Sequence, residues 1–197
     1  MLRCLRVTTV IVSTIAATAC ASATMNVSSH VERGLDFAQY RSYDWGPADA
    51  LPTGDPRLDK DPFFHDHMQG AVEKQLASKG FERVTTGSPD LLIHYHTSID
   101  ERIDVGQVDR EAGSCAEPYC GGLAYYEMGT LVIDIVDART NRLVWRGWAQ
   151  DAMNDVLTNR DLMTLRINES VSRMFERLPR QASRSVSRSA SRTRFAH

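Results

Sequence analysis

The segment that most constrains the fold lies between Thr130 and Ala149. Thr130 to Val136 and Leu143 to Ala149 are two β-prone runs, and the polar link Asp137-Ala138-Arg139-Thr140-Asn141 is short enough to make them a hairpin. Asn141 suits the link because its short amide side chain tolerates a left-handed backbone. In the first run Leu131, Ile133 and Ile135 point to one face and Val132 and Val136 to the other, which predicts a central strand covered on both sides. A lone hairpin is marginal in water, so the rest of the chain must supply more strands and a cover.

Two helical patterns supply the cover. Asp61 before Pro62 reads as an N-cap with proline at the first helical position, and Lys79-Gly80 reads as the end of the same helix. Phe64, Met68, Ala71, Val72 and Leu76 recur at helical spacing between them. A second helix runs from about Asn159 to Leu178, where Pro179 stops it, with the stripe Met163, Ile167, Val171, Met174, Phe175 and Leu178. Further strands are expected over Phe37 to Trp45 and Asp90 to Ile99, with Met25 to His30 as an edge strand. At 197 residues and 42% hydrophobic, the chain suits a single domain that needs no metal or disulfide merely to fold. The expected fold class is α+β, an antiparallel-rich sheet packed against two helices.

The ends of the chain differ from the middle. Arg3 and Arg6, an apolar run from Val7 to Ala19, and the small residues Ala17 to Ala23 have the layout of an export signal. The apolar run is too short for a permanent transmembrane helix, which needs about 20 residues. Ala17-Thr18-Ala19-Cys20 is similar to the bacterial lipobox, with Ala17 where that pattern prefers leucine. That similarity implies a signal peptide over 1–19 and lipidation of Cys20, and Ala21 and Ser22 after the cysteine imply sorting to the outer membrane. Ordinary cleavage after Ala19 or Ala23 is the competing reading, since both fit a small-x-small site. Cysteine parity favours lipidation. Cys4 leaves with the signal and Cys115 and Cys120 can pair, so lipid removes the odd thiol. Acyl chains contribute about 0.8 kcal/mol per buried methylene, so several of them make a lasting anchor.

From Arg180 to His197 the chain is rich in serine and carries Arg180, Arg184, Arg188, Arg192 and Arg194 with no acid. This predicts a disordered basic tail of +5 on a body, Cys20 to Pro179, near −9. The two attract. An exported protein meets no RNA, so no nucleic-acid partner is expected; anionic lipid head groups, cell-wall polymer or the acidic body are the candidates for the tail.

Four segments together resemble a known family. They are Phe37-x-x-Tyr40-x-x-Tyr43-x-Trp45, Lys79-Gly80-Phe81 with Pro89-Asp90-Leu91-Leu92, Gly129-Thr130-Leu131-x-x-Asp134-x-x-Asp137-Ala138, and Leu143-Val144-Trp145-Arg146-Gly147. From about Met25 to Pro179 the chain resembles domain-of-unknown-function family 4136, bacterial proteins usually described as lipoproteins. The resemblance implies an envelope lipoprotein and carries no catalytic residue. Cys115, Cys120 and the arginine-rich tail lie outside the family pattern.

The chemistry-bearing residues are sparse. His94 and His96, two apart on an expected strand, share one face and could share a metal if a third ligand arrived; otherwise they are half-exposed polar positions. His65 and His67 sit about 200° apart on a helix and cannot chelate together. Asp100 to Glu111 has the length of a calcium loop, but Arg102 and Val105 stand where a ligand and the turn glycine belong. Cys115 and Cys120 are too far apart for a thioredoxin-type pair and fit a structural disulfide worth about 2 kcal/mol. Trp45, Trp145 and Trp148 belong to the core or its edge, or else line a groove. No nucleophile elbow, zinc-protease helix, phosphate loop or dinucleotide fingerprint is present, and Gly87-Ser88-Pro89 lacks the second glycine of an elbow. No cofactor is expected. The sequence therefore points to a periplasm-facing, non-enzymatic binding or structural module, membrane-bound through Cys20, with an unidentified envelope partner or ligand. The alternative is an envelope hydrolase using His94 or His96 with nearby carboxylates.

Overall fold

The computed structural model describes residues 25–47, 54–104 and 125–181. Six strands and three helices follow in the order β1 (Asn26–Val31), β2 (Ser42–Trp45), α1 (Pro56–Asp59), α2 (Pro62–Ser78), β3 (Glu82–Arg83), β4 (Leu91–Ile103), β5 (Tyr125–Asp137), β6 (Arg142–Ala152) and α3 (Arg160–Phe175). The strands form one sheet in the order β1-β6-β5-β4-β2-β3. The class is α+β.

The sheet is mixed, which corrects the antiparallel-rich sheet expected above. β1, β6, β5 and β4 pair antiparallel, but β2 pairs parallel with both β4 and β3. The reason is α2. It returns the chain to the starting end of β2, so β3 enters parallel to it as strand–helix–strand crossovers require, and residues 84–90 bring the chain back once more so that β4 enters in the same direction on the other side of β2.

The hairpin forms as read. Asn141 adopts φ 55° and closes the turn with its N–H donating to the Asp137 carbonyl at 2.8 Å. Opposite Ile135 and Val136 of β5, β6 bulges by one residue, Val144, so that both Val144 and Trp145 lie in the interior. Asp61 caps α2 by accepting from the Phe63 N–H at 3.1 Å, and Gly80 follows the helix at φ 93°. Asn159 caps α3 by accepting from the Leu162 N–H at 3.0 Å. The apolar stripes of α2 and α3 join Leu91, Ile93, Ile133, Ile135 and Trp145 in one core. Each large side chain so buried contributes roughly 1.5–3 kcal/mol.

Three expectations change in detail. The strand expected from Phe37 is only Ser42–Trp45, because Asp36 caps a 3₁₀ turn over Phe37–Gln39 instead. α1 is an additional one-turn helix, started by Asp55 and Pro56 and anchored by buried Leu58. β5 is central, but on its second face Val132 and Val136 are half-buried and belong to no part of the core.

Candidate functional site

Three places gather polar or open features. The first is the corner where the hairpin turn meets β2. Asp137 is 8% exposed; its Oδ1 accepts the Arg139 and Thr140 N–H groups at 2.9 and 2.8 Å, and its Oδ2 accepts the Tyr40 hydroxyl at 3.0 Å. Asp90 Oδ2 accepts the Arg41 and Ser42 N–H groups and the Ser42 hydroxyl at 2.8, 2.9 and 3.0 Å. Burial works to raise both carboxyls, yet these donors outweigh it and hold both below the usual carboxylate range. Burial and the Asp137 charge push the Tyr40 hydroxyl up to about 12. A groove of about 640 Å³ runs beside the corner, lined by Tyr40, Ser88, Asp90, Asp137 and Arg139. Gln181, past the last helix, donates from its side chain to the Tyr40 carbonyl and from its N–H to the Lys79 carbonyl at 2.9 Å. The two carboxylates hold backbone turns and are poor proton carriers.

The second place is the sheet face turned away from the helices. His94 and His96 lie there side by side, as their spacing requires, with His94 opposite Asp134 and Asp134 opposite Arg146. Arg146 clamps Asp134 with two bonds of 2.6 Å, and Asp134 is 6% exposed. Burial lowers both histidines, opposed by Asp134. His96 Nε2 is buried without a partner. The His94 ring lies over Gly46, where a Cβ would come within 2.0 Å of it. Among the described residues no three of His, Cys, Asp or Glu are grouped to hold a metal ion. The remaining pair is spent locally: His65 contacts the Tyr95 hydroxyl and the Asp59 carbonyl, whereas His67 stacks on Phe63 with ring centres 3.8 Å apart.

The third place is a cavity of about 70 Å³ between the sheet and the helices, lined mainly by apolar side chains including Phe64, Met68, Leu131, Ala149, Met163 and Ile167. Arg166 and Asp151 also line it, with Nη1 and Oδ2 3.3 Å apart. Sequence reading missed this site, because its walls come from α1, α2, β4, β5, β6 and α3 and no local spacing announces them. Asp134 did carry a signal, as a lone acid inside an apolar strand run.

The tryptophans divide. Trp145 is fully buried, its ring centre 4.9 Å from that of Phe175 and its edge folded over Gly147. Trp45 packs against the core edge and donates Nε1 to Glu73 at 3.0 Å. Trp148 is half-buried in the face that carries His96. Cys20, Cys115, Cys120 and most of the tail lie outside the described residues, as does the second half of the Asp100 to Glu111 loop.

No curated protein matches the chain. Among solved structures it is similar to a DUF4136 family protein from Bacteroides thetaiotaomicron, at 13% identity and TM-score 0.47 over 76% of this chain and 95% of that one. It is also similar to a PDZ domain protein from Parabacteroides distasonis, at 15% identity and TM-score 0.48 over 76% of this chain; the match spans only 35% of that protein. A third is PelC from Paraburkholderia phytofirmans, a dodecamer, at 10% identity and TM-score 0.40 over 80% of this chain and 100% of that one. The family model for the domain of unknown function DUF4136 matches residues 27–180, in agreement with the motif resemblance. By that match, the chain belongs to the DUF4136 family.

Proposed function

We propose that this protein is a non-enzymatic binding module of the bacterial cell envelope, moored to the outer membrane by a lipid on Cys20 and facing the periplasm. The observation that carries the reading is the order of the first residues: Arg3 and Arg6, the apolar run Val7 to Ala19, and Cys20 behind Ala17-Thr18-Ala19. Asn26, which opens β1, is six residues beyond Cys20. At no more than about 3.6 Å per residue, such a link holds the domain within roughly 22 Å of its anchor. Cys115 and Cys120 pair in this reading, as an oxidising compartment favours.

The non-enzymatic reading is supported by how the motif residues are occupied. Tyr40, Asp90, Asp134 and Asp137 are engaged by one another, by Arg146 or by backbone N–H groups. The hydrolase alternative needs a carboxylate free to serve His94 or His96, and Asp134, the acid facing them, is clamped by Arg146. Replacing Cys20 by Ala and fractionating cells tests the tether. Release of the protein into the soluble periplasmic fraction is expected; unchanged membrane association contradicts the proposal.

A further inference from the structure

β4 is 13 residues long, and β2 covers only its start, Leu91–Ile93. The Ile93 carbonyl accepts the Gly46 N–H at 2.9 Å on the β2 side, whereas the Asp90 carbonyl accepts the Ala138 N–H at 2.9 Å on the β5 side. Backbone groups alternate along a strand, and β4 pairs with β5 residue for residue from Leu91 to Ile103. The odd-numbered residues of β4 therefore aim their N–H and C=O groups away from β5. At Thr97 this edge is closed by Gly54, where a Cβ would lie 2.1 Å from the Thr97 carbonyl oxygen. Beyond Thr97 no described residue pairs with Ile99, Glu101 or Ile103 on that side. Ile103 is 47% exposed, and Tyr125, which stands opposite it in β5, is 54% exposed. An open edge of this kind is a template for another strand.

We propose that the edge from Ile99 to Ile103 is an interface between two copies of this chain, paired antiparallel about a two-fold axis at Glu101 so that their sheets join into one. The register follows from where the edge is open: Gly54 closes it at Thr97, the strand stops at Ile103, and Glu101 is the midpoint. Backbone geometry fits this centre. Ile99, Glu101 and Ile103 face the partner's Ile103, Glu101 and Ile99, and each facing pair exchanges both of its main-chain hydrogen bonds. The side chains are self-complementary as well. On the open face of the sheet, exposed Asp100 meets the partner's Arg102, and exposed Arg102 meets the partner's Asp100. On the helix face, where Ile99 packs against the core, Ile99 meets the partner's Ile103 and extends the exposed Ile103–Tyr125 pair into an apolar row. Glu101 against its counterpart is the one unfavourable pair, and Glu127 beside it is held by Arg57 at 2.8 Å. Charges on an edge strand ordinarily exclude other strands; here the order Asp100-Glu101-Arg102 between two isoleucines admits a second copy of the same edge. Five residues a side fall short of the roughly 800 Å² per partner of a standard interface, so the dimer is a weak one. This inference goes beyond the binding-module reading and stands whether or not Cys20 carries lipid.

The test is sedimentation of the full chain carrying Cys20→Ala, so that lipid does not drive association, from about 10 µM to about 1 mM, the range suited to a weak interface. The average mass is expected to rise toward that of two chains and to stop there, because a two-fold interface closes on itself. Glu101→Pro should leave a folded monomer, since the N–H it removes faces away from β5. Asp100→Arg and Arg102→Asp should each weaken dimerisation at least about fivefold, and the two together should restore it to within about twofold. Glu101→Gln should tighten it at least about threefold. Amide exchange at high concentration should slow at Ile99, Glu101 and Ile103 but not at Asp100 and Arg102, whose N–H groups already bond to β5. Four results overturn the proposal: the mass of one chain at about 1 mM, as when another part of this chain covers the edge; growth beyond two chains; association that survives Glu101→Pro; or a double charge reversal that fails to restore what the single reversals remove. If Glu101→Pro does not fold, the charge-reversal cycle decides.

Discussion

At the scale of single residues, the polar groups of the family motifs act on the backbone before anything else. Asp137 ties the hairpin turn to Tyr40 across the sheet. Tyr40→Phe removes one donor from a buried carboxylate, and the expected cost is about 1.5–3 kcal/mol in urea unfolding, the range for a hydrogen bond to a charged group. A loss below about 0.5 kcal/mol would show that water replaces the hydroxyl. His94 and His96 give a pH dependence with a definite sign. Their folded pKa values are lowered, first by burial, so below the unperturbed 6.5 the unfolded chain binds protons that the folded one refuses. Stability from these two is present above that value and is lost as pH falls toward their folded pKa. Asp90 and Asp137, whose values are depressed, add a second loss below the unperturbed 3.8. Melting temperature should therefore be flat between about pH 7 and 9, below the range in which the buried tyrosines titrate, fall in a first step below 6.5 and fall again below 4. The double variant His94→Gln, His96→Gln should lack the first step, and a first step that persists contradicts this assignment.

At the scale of elements, two glycines separate helix propensity from packing. Gly70 lies in the middle of α2, and a Cβ there meets nothing within 4 Å, so Gly70→Ala should stabilise by about 1 kcal/mol. Gly147 lies under the Trp145 indole, where a Cβ would sit 2.4 Å from Cη2 and 3.1 Å from the Met174 Cβ. Gly147→Ala should cost about 1–3 kcal/mol, and thermal or urea unfolding of the pair checks both signs. The elements that could be read from the sequence share a property with Gly70: their signals are local. The stripe of α2, its Asp61-Pro62 start, the Asn141 turn and the stripe of α3 each sit within one segment. What was not legible depends on distant partners. The short β2 takes its direction from pairing with β4 across the α2 crossover, and α1 is too short to show a period. The 3₁₀ turn over Phe37–Gln39 displaced a strand pattern because Asp36 accepts from the Ala38 N–H at 2.9 Å. Of the candidate site, the sequence showed that His94 and His96 share a face. It did not show the cavity, whose walls are assembled only when the helices close on the sheet.

At the scale of the whole molecule, charge and position combine. An acidic body near −9 precedes a basic tail of +5, and the tail departs from Arg180 and Gln181, which are seated against the end of α2 and Tyr40. The chain enters at the other end of the sheet, where Met25 packs against Ser170 at the cavity wall with Sδ 3.4 Å from Oγ. Met25, the first described residue, and the cavity thus share one end of the domain, and Arg180 and Gln181 lie at the opposite end. This arrangement has meaning for function only if Cys20 carries the lipid, and the intact mass of the protein extracted from membranes of its own host tests that most directly. The account predicts a chain beginning at Cys20 with the added mass of a diacylglyceryl group and an amide-linked acyl chain. A chain that still begins at Met1, or one that begins at Thr24 without fatty acid, would contradict it.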